Sequence, residues 1–362
     1  MERYDTVVIG GGQAGLVAGY HLAQTGRDFR ILEADERVGD VWRKRWDSMR
    51  LFTPARYDGL AGLRFPGPRH AIPTKDEFAD YLETYARTFK LPVEGGVRVD
   101  TLIRRDGRFV ITAGARTIEA DNVVVGTGAH HVPKIPPFAS ELDPSITQVH
   151  SSVYKNPSQL RPGRVLVVGV GNSGADISLE LSKTHRTWLA GKESAVIPFR
   201  IDTFKARYLV RLVRFLGYRV LTRSTPVGRK VGPKLIAKAT PLIRVKPKDI
   251  EAAGVERVPR VVGVRDGMPL LDDGRVLEVE NVIWCTGFRD DFSWIDLPIT
   301  GDDGAVEHER GVATRVPGLY FVGLMFQYAM TSDTITGVSR DAAYVVEQLV
   351  SRAPAREEAR VS

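Results

Sequence analysis

Two stretches of this chain repeat one arrangement that few folds can use: an apolar run, a Gly-x-Gly-x-x-Gly turn, a helix-like pattern and a second apolar run. The first copy runs from residue 6 into Gly10-Gly11-Gly12-Gln13-Ala14-Gly15, continues as a helical pattern to about Thr25 and resumes as a strand at Phe29–Leu32. The second begins at 164–168, turns through Gly169-Val170-Gly171-Asn172-Ser173-Gly174, and has a helix to about Ser182 and a strand at 187–190. In such a βαβ opening the first glycine permits a tight turn, the second lets backbone approach a pyrophosphate, and the third lets helix and strand pack closely. The helix N-terminus then faces the anion. One such motif is weak evidence, but two in matching contexts predict two dinucleotide sites.

A second echo closes each copy. Asn122-Val123-Val124-Val125-Gly126-Thr127-Gly128 matches Asn281-Val282-Ile283-Trp284-Cys285-Thr286-Gly287, each a buried-type strand ending in Thr-Gly. A further strand at 319–322 ends at Gly323, and an amphipathic helix follows from about 334 to 350. The predicted fold is α/β, with two Rossmann-like dinucleotide-binding domains, the second inserted into the first. Residues 1–150 and 289–352 are expected to form the first domain, 151–288 the second, and 353–362 a disordered tail. Pro133, Pro136 and Pro137 mark the outgoing crossover.

The residue 18 positions beyond the third glycine separates the two sites. In the first it is Glu33, where a carboxylate accepts the hydrogen bonds of an unphosphorylated ribose diol, as FAD requires. In the second it is Lys192, where a cation suits the 2′-phosphate of NADPH, with Arg200 as a second phosphate ligand. Glu193 beside it would instead suit NADH, and a solvated loop charge is the plainer account of Lys192. The expected FAD contacts are Gly10, Gly12, Gln13, Ala14, Gly15, Glu33, Ala34, Trp42, Thr53, Thr127, Gly128 and Gly323. The expected NADPH contacts are Gly169, Gly171, Asn172, Ser173, Gly174, Lys192, Arg200, Thr286 and Gly287.

Charge and cysteine usage narrow the classes. Cys285 is the only cysteine, which excludes disulfides, a zinc cluster and a Cys-x-x-Cys redox pair; no metal site is expected. The formal charge is +7, yet residues 201–250 alone hold 13 Lys and Arg against two acids. Within this segment, 204–243 alternates basic and apolar residues at helical spacing, with Tyr208, Arg211, Leu212, Phe215 and Tyr218 able to share faces. The plain reading is a solvated helix face; the sharper one is contact with an anionic membrane or acidic partner. No nucleic-acid module accompanies the charge. Without a basic leader or a long apolar run, a cytoplasmic location is expected.

Further residues carry a resemblance. Val41-Trp42-Arg43-Lys44-Arg45-Trp46, Leu51 to Pro54, and Pro73-Thr74-Lys75 with Phe78, Tyr81, Leu82 and Tyr85-Ala86 are similar to the FAD domain of class B flavin monooxygenases, most of all the YUCCA type and bacterial relatives labelled as potassium-transport flavoproteins. His150-Ser151-Ser152-Val153-Tyr154 matches the latter half of their His-x-x-x-Tyr fingerprint, and Cys285-Thr286-Gly287-Phe288 resembles their Thr-Gly-Tyr motif. The likeness spans about 4 to 349. The front half of the fingerprint falls on Pro144 and Ile146 and is missing, and the flavin-side asparagine of animal members is not evident in Phe52-Thr53-Pro54. The resemblance implies NADPH-dependent oxygenation of a small, partly apolar substrate by O2 through a flavin hydroperoxide, with no side-chain nucleophile. A flavin reductase or oxidase, and a non-catalytic membrane-associated redox module, are the alternatives. His150 is either a cap on the crossover or a group near the nicotinamide; Trp42 is either a flavin contact or core, and Trp46 a core residue.

Overall fold

The run 6–9 has apolar side chains at three successive positions, Val7, Val8 and Ile9, as a strand covered on both faces requires. In the computed structural model, which describes residues 2–128, 132–192, 194–201, 203, 206–236 and 241–352, this strand spans Glu2–Ile9 in the middle of a nine-stranded sheet. Phe29–Leu32 and Arg116–Val125 flank it in parallel, and Leu319–Phe321 lies parallel beyond Arg116–Val125. Successive side chains leave a strand on opposite faces. Val8 therefore joins one core with the helices Gln13–Ala23, Lys75–Thr88 and Ile335–Ser351, while Val7 and Ile9 join another with Phe109, Ile111 and Ile295.

The second sheet has five strands, all parallel, in the order Glu256–Val258, Arg186–Ala190, Arg164–Val168, Asn281–Trp284, Thr147–His150. The same alternation divides it, with Val165 and Val167 in one core and Leu166 and Val168 in the other. Thr147–His150 lies ahead of the boundary expected at Ser151, so the second sheet begins one strand earlier than the sequence reading placed it. The reason is physical: Thr147-Gln148-Val149-His150 holds one aliphatic residue, so this edge strand gives no continuous apolar run.

The crossovers meet each other. Val132–Pro133 pairs antiparallel with Phe288–Arg289, and the Lys134 N–H donates to Gly287 O at 2.9 Å. Past this pair, Ile295 and Ile299 re-enter the core of the first sheet, which makes the second sheet an insertion.

The basic segment forms a helix, Ala206–Phe215, a wide turn, Leu216–Val220, and a second helix, Pro226–Ile236. Although it lies between two strands of the second sheet in sequence, Arg186–Ala190 and Glu256–Val258, it docks on the first domain. Arg340 Nη1 donates to Tyr218 O at 2.6 Å, Arg223 N to Tyr328 O at 2.7 Å, and Met330 N to Leu221 O at 3.0 Å. Arginines alternate with rings along this seam: the Arg340 guanidinium lies 4.1 Å from the Tyr218 ring and 4.6 Å from Tyr328, and Arg310 lies 3.9 Å from Tyr328 and 3.8 Å from Tyr344. Among the described residues, no helix is long and apolar enough to cross a membrane, and no His, Cys, Asp and Glu cluster could hold a metal. Glu193, residues 204, 205 and 237–240 of the basic stretch, and the tail 353–362 lie outside the described residues.

Candidate functional site

The two glycine motifs fold into the same object. In the first, Gly10 has φ +102° and its N–H donates to Leu32 O at 2.8 Å; a Cβ on it would stand 2.8 Å from Gly126 O. In the second, Gly169 has φ +114°, donates to Ala190 O at 2.9 Å, and a Cβ would stand 2.2 Å from Cys285 O. Each motif is thus pressed against the strand end that carries Thr-Gly. The third glycines, Gly15 and Gly174, each leave room for nothing, since a Cβ would come within 1.8 Å of the first glycine's carbonyl oxygen.

The second glycines behave differently. Among the described residues, a Cβ on Gly12 or Gly171 would meet no atom within 4 Å. Both residues are helix N-caps with extended backbone and no side-chain cap, so the first N–H groups of each helix face open space without a protein acceptor. An anion satisfies such donors and is favoured there by the helix dipole. The residues present therefore fit two dinucleotide pyrophosphates.

Both cradles lie close to the crossover pair. Six residue steps separate Gly126 from Val132 and three separate Cys285 from Phe288. Even fully extended, the longer link spans only about 20 Å.

The first cradle gathers most of its expected contacts. Glu33, half-buried at the end of its strand, accepts the Gly11 N–H at 2.5 Å and the Asp35 N–H at 2.9 Å. Burial pushes its carboxyl above the usual range, and these N–H groups oppose that rise. Ala34 follows it and is exposed. Trp42 Nε1 donates to Gln13 Oε1 at 3.3 Å, at the helix start, while its ring meets Phe78 edge-on at 4.8 Å. Gly323 adjoins the same helix, for a Cβ on it would stand 3.2 Å from Ala14 Cβ. Thr127 and Gly128 continue directly from Gly126 at the cradle wall.

Thr53 does something sequence reading missed. Its Oγ1 donates to Asp58 Oδ1, and Asp58 is fully buried with Oδ2 lacking any partner among the described residues. Burial pushes the Asp58 carboxyl up to about 7. Because the folded-state pKa lies above the ordinary 3.8, ionisation opposes folding: the cost is absent below pH 4 and complete above pH 7, about 4 kcal/mol in all. Asp58→Asn is therefore expected to gain stability relative to the native protein as pH rises from 4 to 8, in denaturant titrations of both; a pH-independent difference would contradict the assignment.

The aromatic residues of the family-like segment hold a loop. Tyr81 Oη donates to Leu63 O at 2.8 Å and accepts the Leu60 N–H at 2.7 Å, and Tyr85 Oη donates to Ala61 O at 2.7 Å. Trp46, by contrast, is buried in a core of the second domain. Residues 42–46 thus bridge from the first cradle to the second domain. Gln327, fully buried and unmarked by any motif, accepts the N–H groups of Gly323 and Leu324 at 3.0 and 3.2 Å and donates to Arg310 O and Phe321 O.

In the second cradle, Asn172 donates to Pro241 O at 3.0 Å and accepts the Ile243 N–H at 2.9 Å, so its side chain fixes the neighbouring segment. Ser173 and Gly174 complete the first helical turn. Lys192 is exposed just beyond Gly191, whose carbonyl accepts from Arg257 Nη2 at 3.1 Å. Arg200 forms an ion pair with Asp249 at 2.9 Å. Thr286 Oγ1 donates to Lys134 O, and Gly287 accepts from the His150 ring at 3.2 Å. With Nε2 donating there, Nδ1 accepts the Ser152 N–H at 3.1 Å, which fixes the neutral tautomer; burial also lowers the ring's pKa. His150 pins the crossover to the Thr-Gly turn.

Residues 7–196 match the family model described as pyridine nucleotide-disulphide oxidoreductase. The chain belongs to that family. Over 357 residues it is 41% identical to an uncharacterized CzcO-like oxidoreductase of Geobacillus kaustophilus, covering 96% of this chain and 98% of the relative. It is 29% identical to the probable indole-3-pyruvate monooxygenase YUCCA9 of Arabidopsis thaliana, over 80% of this chain and 76% of that one. Among solved structures it is similar to the flavin-containing monooxygenase of Stenotrophomonas maltophilia, with a TM-score of 0.78, 29% identity and coverage of 97% and 99%. The protein is a flavin-dependent oxidoreductase of the monooxygenase group, with FAD and a pyridine nucleotide as cofactors. Cys285 is the one cysteine of the sequence, so no disulfide forms within it, and burial pushes its thiol up to about 12.

Proposed function

We propose that this oxidoreductase uses NADPH and O2 to oxygenate a small, partly apolar molecule (an amine, a sulfide, a ketone or an aryl 2-oxo acid), with FAD in the first cradle and NADPH in the second. The observation that carries this reading is one cradle geometry built twice, beside a carboxylate in one copy and an ammonium in the other. When bound, the flavin supplies two-electron transfer from the nicotinamide and activation of dioxygen. The chain's own part is to bind and orient. The uncapped helix N-termini hold the pyrophosphates, Glu33 accepts from a ribose diol, and Lys192 faces the 2′-phosphate. His150, kept neutral, holds the Thr286-Gly287 turn against the crossover. Arg200, paired with Asp249, must share its guanidinium to serve as a phosphate ligand, so Lys192 carries the selectivity.

A cleft lies between the 54–57 loop and the insert. Pro54, Tyr57, Ile201, Ala206 and Val210 line it together with Arg56, His70 and Thr203, so its wall is as polar as it is apolar. Among the described residues, Tyr57 Oη is buried without a partner, as is Oδ2 of the adjacent Asp58. Such a mixed wall suits a small molecule with both apolar and polar parts.

Lys192→Glu is expected to raise the KM for NADPH over that for NADH by about tenfold or more, since a like charge replaces an opposite one beside the phosphate. An unchanged ratio places the phosphate elsewhere. The activity itself is tested with isotopically labelled O2 and thioanisole, trimethylamine, cyclohexanone and phenylpyruvate as probes. Label in a product, with NADPH consumed in proportion, supports oxygenation. Complete conversion of NADPH electrons to hydrogen peroxide with every probe would instead make the protein an oxidase.

A further inference from the structure

The insert helix Ala206–Phe215 is mounted inside out. Its inward side carries Ala206, Val210 and Arg214: Ala206 is buried, Val210 lines the cleft beside Tyr57, and the Arg214 guanidinium lies 5.0 Å from the Tyr57 ring and 5.9 Å from Tyr218. The apolar side faces solvent. Leu212 is 52% and Phe215 57% exposed, and Leu209, Val213 and Leu216 are exposed beside them. A helix of a globular domain normally buries such a stripe, and a contiguous exposed one marks an interaction surface. The orientation is fixed by the main-chain bonds of Tyr218, Leu221 and Arg223 to the C-terminal segment of the first domain.

The same insert presents exposed cations. Arg211, Arg219, Arg229 and Lys230 are exposed, and among the described residues none is in an ion pair with a carboxylate. The geometry points to an anionic lipid bilayer as the occupant, with Leu209, Leu212 and Phe215 entering the acyl boundary and the basic side chains meeting lipid phosphates. Charge decides against a second copy of the chain. A two-fold contact through this helix, whose sequence carries no acid, would set Arg211 and its basic neighbours against their own copies, whereas an anionic surface pairs with them. This inference does not depend on the oxygenation reading.

The test uses the purified holoprotein, sedimented with vesicles of phosphatidylcholine alone or with one-third phosphatidylglycerol. Co-sedimentation is expected only with the anionic vesicles, weakening about tenfold or more between low and half-molar salt. L212E/F215E is expected to lose about tenfold or more of the binding while keeping its flavin content and thermal transition, because both positions are exposed. R229E/K230E should lose binding to a similar extent, and Phe215→Trp should show a blue-shifted emission on the anionic vesicles. Equal binding by L212E/F215E and the native protein overturns the proposal, as does absence of binding. A dimer in ultracentrifugation that L212E/F215E dissolves, without vesicle binding, assigns the face to a second copy and overturns it as well.

Discussion

Gly12→Val is expected to give a folded, colourless protein. The substitution is tolerated by the chain itself, because among the described residues a Cβ there meets no atom within 4 Å and the backbone, at φ −75° and ψ −173°, is extended and open to any L-residue. What the side chain fills is the space into which the uncapped helix N-terminus points. A pyrophosphate loses both that space and its close approach to the N–H groups, and FAD affinity is expected to fall by about a thousandfold or more, equivalent to about 4 kcal/mol. Gly15→Ala is the contrasting control. Its Cβ would lie 1.8 Å from Gly10 O, so the helix must leave the strand, and flavin is lost together with the fold. Circular dichroism and a thermal melt separate the two: Gly12→Val keeps a native transition, Gly15→Ala does not. A yellow Gly12→Val protein would show that the flavin pyrophosphate lies elsewhere.

Gly171→Val is expected to give a yellow protein that NADPH no longer reduces. The open space and extended backbone recur at this glycine, so the same reasoning leaves the fold intact and blocks only the second cradle. In rapid mixing under anaerobic conditions, bleaching of the flavin by sub-saturating NADPH is expected to slow by about a hundredfold or more, the loss of about 3 kcal/mol of binding. Reduction by dithionite, which needs no nucleotide site, should proceed as in the native protein. Loss of colour in Gly171→Val would reverse the assignment of the two cradles.

The cradles were legible because their demands fall on single residues at fixed offsets: glycines where a Cβ collides, and Glu33 and Lys192 where the second strand ends. Features held by distant partners were not. Gln327 satisfies four backbone groups, three of them within six residues, yet carries no pattern that distinguishes it from a surface glutamine. Arg200 reads as a free cation until Asp249, 49 positions away, is brought beside it. Trp46 lies four residues from Trp42, but the two serve different domains, which no local periodicity encodes. Thr147–His150 escaped because this edge strand has no continuous apolar run. The spacing in 204–243 announced a helix with two faces; which face turns inward was settled by Tyr57, Tyr218 and the seam with Tyr328, all outside the reach of helical spacing.

The account rests on two similar cradles taking different nucleotides. Native mass spectrometry of the purified protein, after incubation with both FAD and NADPH, measures that occupancy directly. The expected mass is that of one chain with one FAD and one NADPH, with FAD alone missing from Gly12→Val and NADPH alone missing from Gly171→Val. Two copies of one nucleotide per chain, or a native protein that retains no flavin, would contradict it.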